Sequence, residues 1–138
     1  MAFIGRLHPL IVHFPIALVI IAALAESGAW LTRDSRWRLV AFANVRVAAV
    51  FAIAAAFAGW RFAVAPADSP PLVEWHRWLG VCAAAVTVAA ALATANDEGR
   101  SPVAGWMYRT ALTFATVLVI VTAHLGGVLV WGADFLRP

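Results

Sequence analysis

The sequence contains no lysine and a single cysteine, and only 12% of its 138 residues are charged. Soluble domains carry about 25% charged residues, so the shortage of charge excludes an ordinary water-soluble domain. The single cysteine, Cys82, excludes an intrachain disulfide and a CxxCH site for covalent haem attachment. It sits inside an apolar run, where a small core residue is the expected role. The net charge of +3 rests on arginines dispersed over loops and helix ends, which reads as membrane topology and excludes a nucleic-acid surface. Nucleophile elbow, phosphate loop and paired carboxylates are all missing. An electron carrier or a subunit of an assembly therefore fits better than a stand-alone enzyme.

What is present is apolar: 64% hydrophobic residues and a mean hydropathy of +0.88. A membrane-spanning helix takes about 20 such residues. Four stretches qualify, Pro9 to Leu31, Leu39 to Val64, Trp75 to Ala95 and Met107 to Trp131. Short polar connections join them: Thr32 to Arg38, the proline-rich Ala65 to Glu74, whose Pro66, Pro70 and Pro71 interrupt any helix, and Asn96 to Gly105. The expected fold is all-α, an integral membrane antiparallel four-helix bundle forming one domain over residues 1–138. Abundant alanine predicts close helix packing. The first run, with Arg6 before it and Ala23-Leu24-Ala25 within it, also resembles a signal peptide. His8, Pro9, His13 and Pro15 suit an h-region poorly, so the run reads as a retained helix. No convincing sequence repeat stands out.

Arg33, Arg36, Arg38, Arg100 and Arg109, with Arg46 slightly deeper, mark one membrane face, and Arg6, Arg61, Arg77 and Arg137 the other. The excess points the first face to the cytoplasm and both termini to a periplasm, as in a multi-pass protein of a bacterial inner membrane. Trp30, Trp37 and Trp106 on one side and Trp60, Trp75, Trp78 and Trp131 on the other form the two aromatic belts expected in a lipid bilayer.

Alternating helix direction then gathers all four histidines at the outer end. His8 lies at the interface, His13 about 7 Å deeper by the helical rise, His76 near the depth of His8, and His124 roughly 10 Å inside. Ionisable groups within a membrane are costly and mark functional sites. Two imidazoles at one depth on facing helices are what a six-coordinate b-type haem requires. His13 and His124 match best in depth; His8 and His76 hold a second haem or nothing. Gly126 and Gly127, after His124, remove bulk where a helix or a flat macrocycle comes close. Arg77, with Arg61 and Arg6, stands where haem propionates would pair. Pro15 leaves the Ile11 carbonyl open to a polar partner.

A transition-metal site is the competing chemistry, with Asp68, Glu74 and Asp134 completing a coordination shell. Against it, His8 and His13 are about 140° apart around a helix, unless Pro9 opens the helix and leaves His8 outside it. Towards the other end, Glu26 and Arg46 are expected to pair between the first two helices.

Leu7-His8-Pro9-Leu10-Ile11-Val12-His13-Phe14-Pro15-Ile16-Ala17-Leu18, Trp75-His76-Arg77 and Thr122-Ala123-His124-Leu125-Gly126-Gly127 together resemble a bacterial family of small four-helix membrane proteins, a predicted membrane protein with a domain of unknown function. The resemblance covers essentially the full chain. It implies association with c-type cytochrome modules, because the domain occurs beside or fused to them, and its histidine motifs fall on His8, His13, His76 and His124. The expected function is a membrane b-type haem-binding electron-transfer protein with one or two haems, exchanging electrons with a c-type cytochrome, a quinone or a larger complex. The alternatives are an accessory subunit of a respiratory or photosynthetic assembly and, more weakly, a protein that binds or transports a transition metal.

Overall fold

The computed structural model describes residues 2–62, 70–96 and 101–134. It contains α1 (Ala2–Arg6), α2 (His8–Ile11), α3 (His13–Thr32), α4 (Ser35–Phe62), α5 (Pro71–Asn96) and α6 (Pro102–Trp131). With α2 and α3 taken as one span, four helices are long and apolar enough to cross a membrane. They run antiparallel in a ring: α3 packs on α4, α4 on α5, α5 on α6, and α6 returns to α3, while α1 and α2 lie along α4.

Helix boundaries extend beyond the apolar runs because proline opens two of them. Pro71 is the first residue of α5, and Pro102 stands at the start of α6. At a first helical position the missing N–H has no intrahelical partner to lose, and the fixed φ suits the helix. Pro66 and Asp68 of the second connection, Arg100 of the third, and Arg137 lie outside the described residues. In the first span the chain breaks its regular pattern at Leu7 and Val12, around Pro9 and Pro15, yet Val12 keeps right-handed helical dihedrals. The Val12 amide donates to His8 O (3.0 Å) and Ile16 donates to Val12 O (3.3 Å), so the chain continues as a locally re-bonded helix.

The core is built from small residues. Ala22, Ala41, Ala48, Ala90 and Ala115 are fully buried together with Val19, Val45, Thr87, Thr94 and Tyr108, whereas Ile21, Leu24, Val50, Ile53, Phe57 and Leu92 face outward. Lipid solvates large apolar side chains as well as a protein core does, so close backbone approach decides which face packs inward. All seven tryptophans are exposed, as aromatic belts require. Cys82 is exposed on α5 and is not the core residue expected.

Asp34 caps α4: its Oδ1 accepts the Arg36 amide (2.9 Å), and its carboxylate also accepts Arg36 Nε. These bonds, the side-chain one first, hold the Asp34 pKa below its ordinary value of 3.8. A depressed carboxylate stabilises the fold above the unfolded pKa, and that contribution is lost as pH falls through the folded pKa. A carboxyl 13C titration should place the Asp34 midpoint below 3.8. In an Arg36→Ala variant the midpoint should move upward.

Candidate functional site

The paired histidines that meet are His8 and His76. Their ring centroids are 6.2 Å apart with planes at 82°. The His8 ring enters from the first turn of α2, and its Nδ1 lies 2.9 Å from Ala55 O on α4. The His76 ring enters from α5, with Nδ1 3.1 Å from Thr122 O on α6. A carbonyl only accepts, so each Nδ1 carries the proton, and in a neutral ring each Nε2 then keeps its lone pair. This is the hydrogen-bonding habit of metal-bound histidine, in which the second nitrogen is fixed by a backbone carbonyl.

Each ring is seated over a glycine one helical turn beyond its carbonyl partner. A Cβ on Gly59 would stand 2.7 Å from His8 Cε1, and one on Gly126 would stand 3.0 Å from His76 Cε1. The two halves of the site repeat one another. Adding 68 to His8, Pro15, Val19, Ala22 and Glu26 gives His76, Ala83, Thr87, Ala90 and Thr94, and every pair after the histidines is buried on both sides. Adding 67 to Ala41, Val45, Ala48 and Ala52 gives Tyr108, Leu112, Ala115 and Val119, all buried, and it carries Ala55 and Gly59 onto Thr122 and Gly126. The protein is thus two similar helical hairpins related by an axis along the helices, a parallel repeat of the kind known in membrane transporters. The sequence reading missed the repeat because large lipid-facing residues differ freely between halves. Its signal lies in the spacing of small and polar positions.

His13 and His124 are exposed. Each is nine residues from a fully buried alanine, Ala22 and Ala115, and so about 180° round its helix from the packed face. The structure therefore does not bring this depth-matched pair together inside the bundle. Gly127 is half-buried beside Gly126. Arg77 lies with its guanidinium 3.9 Å from the Trp60 ring centre, a cation–π contact, and its Nε is buried without a hydrogen-bond partner. Trp78 meets the same Trp60 edge-on at 5.6 Å. Thr122 Oγ1, beside the His76 carbonyl partner, is likewise buried without one. Glu74 and Asp134 are exposed, and among the described residues no group of three or more His, Cys, Asp or Glu is placed to hold a metal ion.

The opposite end is tied by ion pairs that differ from the expected one. Glu26, 8% exposed on α3, accepts Arg109 Nε of α6 at 2.9 Å and lies 3.7 Å from Arg38 Nε of α4. Arg46 turns instead to α5, donating to Thr94 Oγ1 at 2.8 Å. The Glu26–Arg46 pair does not form, because Arg46 lies on the side of α4 that packs on α5.

No curated protein and no solved structure matches this chain. The family described as a predicted membrane protein (DUF2231) matches residues 6–135, nearly the whole length, and the protein belongs to that family.

Proposed function

We propose that this protein is a membrane-embedded b-type cytochrome in which His8 and His76 would hold the haem iron. The observation that carries this reading is the 6.2 Å separation of two imidazoles whose Nδ1 atoms are both engaged by carbonyls. At that separation both imidazoles would be within reach of one metal ion, given metal–nitrogen bonds of about 2 Å. The donor set also favours haem over a bare ion. A lone zinc or copper ion asks for further protein ligands, whereas a porphyrin brings its own four. When bound, haem supplies one-electron redox chemistry.

The chain's own residues hold and tune that centre. Ala55 O and Thr122 O fix the two imidazoles in the Nδ1-protonated form and raise their basicity as ligands. Gly59 and Gly126 let the rings lie against the helix backbones. Arg77, braced on Trp60 with its Nε unpaired, is placed for a carboxylate at the end of the bundle. The electron partner in this reading is a c-type cytochrome, a quinone or a larger complex reached from the histidine end, and the arginine bias supports a periplasmic position for that end in an inner membrane.

The second reading, an accessory subunit, is favoured by the same two hydrogen bonds, since His–carbonyl contacts also serve as plain interhelical ties. An ultraviolet-visible spectrum of protein purified after expression with added haem separates the two. The cytochrome shows a Soret band, a sharp reduced α-band and about one haem per chain by pyridine haemochrome. Colourless protein defeats it and leaves the accessory role.

A further inference from the structure

At the end of the bundle opposite the histidines, two residues join α3 to α4. Arg33 takes a left-handed conformation, φ 58° and ψ 21°, which ends α3 abruptly. The turn borders an open cavity of about 530 Å³ lined by Ala29, Trp30, Leu31, Arg33, Ser35 and Arg38.

Its electrostatics are one-sided. Arg36 spends its charge on Asp34 at 2.8 Å and points outward. Arg38 shares Glu26 with Arg109, but Arg109 holds the close contact at 2.9 Å, and Arg38 Nε, 3.7 Å away, is buried with no hydrogen-bond partner. Arg33 and Arg38 therefore both line the cavity, Arg33 with no carboxylate beside it and Arg38 held to Glu26 only by the longer ion pair. Ser35, the first residue of α4, adds a hydroxyl to the lining. Beside these polar groups Trp30 and Leu31 are 73% and 72% exposed, an apolar rim continuous with the lipid-facing side of α3.

We propose that this cavity binds the phosphate of an anionic lipid headgroup, held between Arg33 and Arg38, with the acyl chains against Trp30 and Leu31. Phosphate suits arginine forks, and basic pockets between membrane helices take such headgroups. The proposal is independent of the haem reading and concerns the other end of the molecule.

The test is thermal unfolding in phosphatidylcholine nanodiscs containing increasing phosphatidylglycerol, with inorganic phosphate at constant ionic strength as a parallel titration. The expected result is saturable stabilisation by phosphatidylglycerol and none by phosphate. Arg33→Gly removes the guanidinium while easing the left-handed turn, so the variant folds, and it should need about fivefold more phosphatidylglycerol. Arg38→Lys, which keeps charge but loses the fork, should also weaken binding. Arg6→Gln, at the histidine end, should leave it unchanged. Equal stabilisation by inorganic phosphate would reassign the site to free phosphate and overturn the lipid. An Arg33→Gly response equal to wild type, or an equal loss in Arg6→Gln, would overturn the site altogether.

Discussion

His8→Ala and His76→Ala should each abolish the haem spectrum expected of the proposed cytochrome, and His13→Ala and His124→Ala should leave it in place. The contrast follows from which way the rings face. His8 and His76 meet within the bundle, each with Nδ1 on a carbonyl of the neighbouring helix, while His13 and His124 are exposed on the far sides of α3 and α6. Removing a partner that merely orients a metal ligand already costs roughly 10- to 100-fold in affinity, so loss of a histidine that would itself hold the iron should cost at least that much. The variants should still fold. Ala55 O and Thr122 O keep their intrahelical bonds from Gly59 and Gly126, leaving no orphaned carbonyl, and the lost side-chain hydrogen bond is worth about 1 kcal/mol. Haem content per folded protein, with far-ultraviolet circular dichroism as the control for folding, is the measurement. If His13→Ala and His124→Ala bleach the protein while the other two do not, the histidine pair assigned here is wrong. The ligands would then lie on the outward faces, where a second protein must complete the site.

The same contrast shows what could be read from the sequence. Four spans and their antiparallel order need only apolar length and short loops, and they were legible. So was the gathering of the histidines at one end, because depth follows from helix direction and rise alone. Rotation was not legible. It depends on which side of each helix packs, and these helices are apolar all round, with no polar face to orient them. Here the buried stripe is Pro15, Val19, Ala22, Glu26 and Ala29, while Ile21 and Leu24 point to lipid, the reverse of a soluble helix. Depth matching therefore selected His13 and His124, and only the packed faces show His8 with His76. The exposed Cys82 and the partners of Glu26 and Arg46 were misjudged for the same reason. Pro71 and Pro102 illustrate a separate ambiguity: a proline that stops one helix and a proline that starts the next look alike in sequence.

The two glycines under the histidines provide the second large effect, and its sign is informative. In an ordinary helix interior Gly→Ala stabilises, by about 1 kcal/mol on intrinsic propensity. Gly59→Ala should do the opposite. The new Cβ would lie 2.7 Å from His8 Cε1 and 2.9 Å from its Nδ1, closer than carbon and nitrogen tolerate. The ring is already fixed by its bond to Ala55 O, so relief requires breaking that bond or moving α2 away from α4. Overpacking of this kind costs about 1–3 kcal/mol, which exceeds the propensity gain, and the displaced ring no longer keeps its place beside His76. Gly126→Ala is the milder case, because its Cβ would meet His76 Cε1 at 3.0 Å and Nδ1 only at 3.6 Å; a shift of a few tenths of an ångström relieves it. The expected order is Gly59→Ala well below wild type in both melting temperature and haem retention, with Gly126→Ala between them. Because the two hairpins repeat, the two substitutions are the same experiment on equivalent seats, and the difference between them measures how tightly each ring is held. A Gly59→Ala protein that is more stable than wild type would mean that His8 does not occupy this seat, and the histidine pair would lose the support on which it rests.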